Sequence, residues 1–198
     1  MTRLPTIRRA EVRRTTAETD TQCVLVLDGT GEASIRSGIG MLDHLLTGFT
    51  RHSGFDLKLE CLGDLVVDDH HTAEDCALVL GQALDQALGE RVGIRRFGSA
   101  YAPLDEALAR VVVDLSGRPW PSVELGLGRE SLGALACENI EHVLNSLAIA
   151  GRMALHVDVL KGSNDHHKSE AAFKALALAL GDAVAITGDR VPSTKEVL

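Results

Sequence analysis

Apolar residues recur along this chain with two periods. Residues 7–16 alternate and place arginines on the polar positions, which predicts an exposed basic strand; residues 22–28 are more apolar and predict a buried one, closed by the turn Asp28-Gly29-Thr30-Gly31. After Gly38-Ile39-Gly40 the spacing changes. Met41, Leu42, Leu45 and Leu46 share one side of a helix, with Asp43 and His44 beside them. Residues 55–61 alternate again as a strand. Ala73, Cys76, Ala77, Leu80, Leu84, Ala87 and Leu88 then recur at helical spacing, predicting a helix over 70–88 with Asp69 as N-cap and Gly89 at its end.

The second half repeats this order. Residues 106–117 (EALARVVVDLSG) echo residues 18–29 (ETDTQCVLVLDG), both ends shifted by 88 positions. Residues 154–159 echo 57–61, His142 follows His44 by 98 and His166 follows His70 by 96, so the offset slips only between elements. The pattern is a tandem duplication of a strand-strand-helix-strand-helix half, about 1–92 and 93–198. Each half is mostly antiparallel sheet with helices on one face, and packing the halves helix to helix buries both apolar faces. The expected fold class is α+β: one domain of two pseudo-repeats, with two sheets over a central helix layer.

Composition narrows the function. Hydrophobic residues make up 45% of the 198, ample for a core, and the net charge of -8 argues against a general nucleic-acid or anionic-membrane binder. Any anionic ligand must meet a local cluster of cations. Cys23, Cys61, Cys76 and Cys137 show no CxxC and no disulfide-like spacing, as in a reduced cytosolic protein. No run approaches the roughly 18 apolar residues that cross a bilayer. The N-terminus carries Arg3, Arg8, Arg9, Arg13 and Arg14 but no hydrophobic signal core, and it alternates like a strand, so it reads as part of the fold.

The candidate chemistry lies in a repeated motif. HHxxE occurs as His70-His71-x-x-Glu74 and again as His166-His167-x-x-Glu170, with His44 and His142 one element upstream of each copy. Four residues apart on a helix, His70 and Glu74 share a face while adjacent His71 diverges. Each helix thus offers a His and a carboxylate to one site and a second His to another. Six imidazoles and two carboxylates suit two metal ions with about four protein ligands each, and a six-coordinate ion such as Mn²⁺ keeps positions open for substrate. A His pair that merely caps a helix is the bland reading, and the duplication argues against it. His52 and His156 stand alone and read as structural hydrogen-bonding residues. Pseudosymmetry brings the motifs together either within a chain or across subunits, and both remain open.

The segments TTAETD, GIGMLDHLL, GDLVVDDHHTAED, RFGSAYAPLDEAL, VDLSGRP, ENIEHVLNS, NDHHKSEAAFKA and VPSTKEVL, in this order, resemble the imidazoleglycerol-phosphate dehydratases of histidine biosynthesis over nearly the whole chain. The resemblance implies a cytoplasmic hydro-lyase converting imidazole glycerol phosphate to imidazole acetol phosphate, through a metal-bridged imidazolate and a diazafulvene-like intermediate. It further implies two Mn²⁺ ions per active site and an octahedral homo-oligomer of twenty-four subunits with sites at subunit contacts. His44, His70, His71, Glu74, His142, His166, His167 and Glu170 are the implied ligands. Glu18 is the implied base, and Glu106, its repeat partner, is a weaker candidate for base or positioning. Arg96, Arg118, Lys174, Ser193 and Lys195 match the family's phosphate-binding positions. Asp43 and Glu141, each just before a ligand histidine, are read either as acceptors that orient imidazoles or as a solvated helix face. Two positions depart from the family pattern: Glu196 stands where glycine is usual, and Gly48 where relatives often carry glutamine. A dinuclear phosphoesterase and a non-catalytic metal cage share the ligand inventory, but the cage leaves Glu18 and the tail cations without a task.

Overall fold

The computed structural model describes residues 7–195 and 197–198; Arg3 of the basic stretch and Glu196 lie outside them. Strand β1 (Arg9–Thr15) pairs antiparallel with β2 (Thr19–Val26), and β2 pairs antiparallel with β4 (Asp56–Gly63). The short β3 (Ala33–Arg36) runs parallel to β4 at the far edge, giving the order β1-β2-β4-β3. Helix α1 (Gly40–Ser53) connects β3 to β4, and α2 (His70–Leu88) follows β4.

The second half returns the same order. β5 (Phe97–Leu104), β6 (Ala107–Asp114), β7 (Trp120–Glu124), α3 (Cys137–Ala150), β10 (Ala154–Lys161) and α4 (Asp165–Ala183) build a sheet ordered β5-β6-β10-β7, again with a parallel edge strand. A two-stranded ribbon, β8 (Ser131–Leu132) with β9 (Leu135–Ala136), is added before α3. Each four-stranded sheet therefore has one strand more than the sequence pattern predicts, and the ribbon adds two to the second half. None of the four residues of β3 is buried, and β7 alternates only between exposed and half-buried positions. Neither strand shows the apolar alternation that marks a strand lying on a core.

Strands β2 and β6 bury every second residue, because only one face of each sheet meets helices. Helix α2 lies on β1, β2 and β4, and α4 lies on β5, β6 and β10. The shorter helices cross over: α1 packs against α4, and α3 against α2. This exchange interleaves the two halves in one helix layer between the sheets. Leu42, Leu45, Leu46 and Phe49 of α1 are all buried by it, each contributing about 1.5–3 kcal/mol relative to exposure. The approach of α3 to α2 is close: a Cβ on Gly81 would stand 2.8 Å from both the Gly151 nitrogen and the Leu147 oxygen.

The start of α2 differs in detail from expectation. Asp69 occupies the N-cap position with helical dihedrals, and its side chain caps nothing. Asp68 Oδ1 takes the His70 N–H instead (2.9 Å), while Asp69 Oδ2 accepts from Ala136 N (2.7 Å) and so ties α2 to the start of α3. Gly89 ends the helix as expected, its N–H reaching back to Asp85 and Gln86.

Candidate metal centre

Helix exchange decides which ligands meet. His166 and Glu170, one turn apart on α4, face His44 of α1, and the ligand atoms of these three lie within 4.8 Å of one another. His70 and Glu74 on α2 face His142 of α3 in the same way, forming a second group under the same limit. Each group joins both halves of the chain. His44 Nε2 and His166 Nε2 each stand 2.8 Å from Glu170 Oε1, and His142 Nε2 stands 3.2 Å from Glu74 Oε1. The imidazoles of His70 and His142 stack at 4.8 Å between centroids, and those of His44 and His166 lie 5.5 Å apart. These are the converging nitrogen and carboxylate-oxygen donors a divalent transition ion takes, with fewer than six per group and so room for further ligands.

Neighbouring groups set donor orientation. His70 Nδ1 donates to the buried Asn139 Oδ1 (2.9 Å), which leaves Nε2 as its free donor to a metal. The sequence pattern missed Asn139, although it lies three residues before His142 on the same helix. Burial pushes the Glu170 carboxyl up, but hydrogen bonds from His44, Lys174 and His166 outweigh it and bring the carboxyl down to about 2. Asp43 and Glu141 orient no imidazole: Asp43 Oδ1 accepts from Ser37 N (2.8 Å) and Ser37 Oγ (2.6 Å), and Glu141 Oε1 from Leu125 N (3.0 Å). At equivalent repeat positions, both fasten a segment that precedes their helix.

His71 and His167 stand outside both groups. The ring of each lies almost perpendicular to its neighbour, at 78° for His70/His71 and 82° for His166/His167. His71 Nδ1 meets Asp64 (3.1 Å), and its Nε2 lies 3.7 Å from Glu18 Oε1. His167 Nδ1 meets Glu106 Oε2 at 2.7 Å. The partner carboxylates hold both imidazoles above the ordinary histidine value, Asp64 for His71 and Glu106 for His167. Glu106 also accepts from Ser163 N, Ser163 Oγ and Asn164 N, so its oxygens are fully engaged and its carboxyl is held well below the usual range, first by His167. Glu18 shows no such engagement: its carboxylate is half-exposed and has no side-chain hydrogen bond among the described residues.

The cations fall in two places. Lys174 Nζ pairs with Glu170 Oε2 (2.9 Å), at the edge of the first metal group. Arg96 is held by Asp114 (2.7 Å) and donates to the Pro192 carbonyl (2.9 Å), so it fastens the C-terminal tail; Arg118 is exposed. The Gly117 position comes close to Leu198, which carries the tail along the loop that bears Arg118. Ser193 Oγ accepts from Lys195 N (3.2 Å), and the Lys195 side chain is exposed. Arg96 N bonds to Ala183 O at the far end of α4, nine residues or about 14 Å of helix beyond Lys174. Gly48 lines a small recess beside His44, Glu170 and Lys174, with nothing near where a Cβ would project. Arg129, which no periodicity marks, lines a cleft of about 520 Å³ with His44, His166 and Glu170. His52 and His156 are exposed and make no side-chain hydrogen bond among the described residues, contrary to the structural role expected of them.

Known proteins bear on this geometry. A family model described as imidazoleglycerol-phosphate dehydratase matches residues 37–180, a span that holds both metal groups but not Glu18, Ser193 or Lys195. The imidazoleglycerol-phosphate dehydratase of Candida glabrata is 52% identical over 209 residues, covering 96% of this chain and 99% of its own. That of Chlorobium phaeovibrioides is 54% identical over 190 residues, covering 96% and 95%. A Phytophthora nicotianae relative of the same name is 56% identical over 195 residues, 97% of this chain, which spans 43% of that longer protein. Among solved structures, the imidazoleglycerol-phosphate dehydratase of Staphylococcus aureus has a TM-score of 0.82 at 38% identity, covering 90% of this chain and 99% of that one. The Pyrococcus furiosus structure has 0.82 at 37%, covering 94% and 100%.

Proposed function

This chain belongs to the imidazoleglycerol-phosphate dehydratase family, and on that footing we propose that it removes water from imidazole glycerol phosphate to give imidazole acetol phosphate in histidine biosynthesis. The observation that carries the reading is the pair of His/His/Glu groups, each assembled from helices of opposite halves.

His44, His166 and Glu170 would hold one divalent ion and His70, Glu74 and His142 a second, with Mn²⁺ as the assigned metal. When bound, the ions would supply Lewis acidity that favours the deprotonated imidazole ring of the substrate, and with it loss of the adjacent hydroxyl. Removal of the neighbouring carbon-bound proton then falls to a carboxylate. Glu18 suits that task because it lies 3.7 Å from His71 with no side-chain hydrogen bond among the described residues, whereas Asp64 is bonded to His71 and Glu106 is held by four contacts. Glu106 is better read as orienting His167.

His71 and His167 point away from the groups of their own chain, so we assign them to the groups of neighbouring subunits in a homo-oligomer. A site completed in this way lies at a subunit contact, with Glu18 carried in beside His71. The tail runs from Arg96 toward the loop that bears Arg118, and we assign Arg96, Arg118, Ser193 and Lys195 to the phosphate, where they would locally offset the chain's net negative charge. Lys174, paired to Glu170, acts closer to the ring end of the substrate than its family position implies.

The test is turnover of imidazole glycerol phosphate by metal-stripped protein with Mn²⁺ restored. Recovery of ketone formation without phosphate release is expected. Phosphate release, or no turnover by an intact assembly, would overturn the assignment.

A further inference from the structure

The turn that carries Glu18 joins β1 to β2 and is closed by Thr16, whose N–H donates to Thr19 O (2.9 Å) and whose Oγ1 accepts from Glu18 N (3.1 Å) and Thr19 N (3.0 Å). None of these bonds ties the turn to the helix that carries His71. That link is made by Asp75, one turn beyond His71 on α2 and only 4% exposed. Its Oδ2 accepts from Arg14 Nη1 (2.5 Å) on β1 and from Thr19 Oγ1 on β2. One buried carboxylate thus clamps both arms of the hairpin onto α2.

The duplicated half shows that the fold does not require this clamp. By the repeat offsets, Arg14, Thr19 and Asp75 correspond to Ala102, Ala107 and Ala171. All three alanines are buried, and the strand pairing is equivalent, Ala102 opposite Ala109 as Arg14 is opposite Thr21. In that half Glu106 fastens its own turn through Ser163 and Asn164. A carboxylate that must stay free to take a proton cannot also anchor its loop, and in the first half neighbours supply the anchor.

We infer that Asp75, with Arg14 and Thr19, is a positioning brace that holds Glu18 in register with His71; the inference rests on the reading of Glu18 as the base. Truncating Asp75 or Arg14 alone would leave a charge uncompensated and confuse the result. The informative variant replaces all three by alanine, the combination the other half already packs.

With the metal-loaded assembly, this triple variant is expected to keep its mass while kcat falls on the order of 100-fold, with KM changed no more than about threefold. Thr19→Val should lose much of kcat, and Thr19→Ser, which keeps the hydroxyl, should regain most of it. Amide exchange at residues 16–19, read without turnover, should accelerate in the valine variant and not in the serine variant. If the triple variant fails to assemble, the Thr19 pair decides, and equal rates and equal exchange in the two overturn the brace. Wild-type turnover by the triple variant, with Glu18→Gln inactive, overturns the brace alone. Turnover by Glu18→Gln overturns the reading of Glu18 and the brace with it.

Discussion

Glu18 and Glu106 occupy equivalent turns, yet one is unbonded and the other fastened on both oxygens. Composition and spacing cannot separate them, since the difference lies in what the loops at 63–69 and 161–164 bring near each turn. The same holds for Asn139, whose value to the site depends on His70 arriving from another helix. Asn139→Ala should weaken metal binding at the His70/Glu74/His142 group by about 10–100-fold and leave the other group unchanged; a Mn²⁺ titration resolving two affinities would show it. Away from the candidate metal groups, acid sensitivity has its own residues. Arg8 holds the Asp28 carboxyl below its ordinary 3.8, and the backbone N–H groups of Thr30 and Glu32 do the same for Asp56. A depressed folded-state value contributes stability above the unfolded value, which is lost as pH falls through the folded one. Urea midpoints should therefore fall below about pH 4, and Asp28→Asn should flatten part of that fall.

The helices show how amphipathic spacing becomes a binding site. The i, i+4 relation of His to Glu in α2 and α4 is a local property and was legible in the HHxxE pattern; the partner imidazole is not, because α1 serves α4 and α3 serves α2. The packing of α3 on α2 depends on close backbone approach at Gly81. Gly81→Val should push α3 from α2, costing about 1–3 kcal/mol and lowering metal affinity at the His142 group more than at the His44 group. Urea denaturation with a parallel metal titration tests both, and equal losses at the two groups would contradict the packing account. The edge strands β3 and β7 were not legible, since short exposed segments carry no periodicity for burial to impose.

In the folded chain, His71 and His167 are directed away from the groups they accompany in sequence. If His71 and His167 complete sites on neighbouring subunits, metal binding and association are linked. Chelation should then shift the mass in sedimentation toward smaller species, and Mn²⁺ should restore it. His71→Ala and His167→Ala should each impair that restoration while leaving the monomer fold intact by circular dichroism. A mass indifferent to chelation would place these two histidines outside the metal sites. Among the described residues no helix is long and apolar enough to cross a membrane.

Periodicity and repetition were enough to establish the α+β duplication, the two HHxxE helices and the candidate ligands they carry, because helix and strand spacing are consequences of local geometry. Which ligand faces which, which glutamate stays free, and where the cations gather depended on contacts between residues far apart in the chain. Those contacts arise when the apolar faces of the two halves' helices exclude water from each other, and no local spacing encodes their partners.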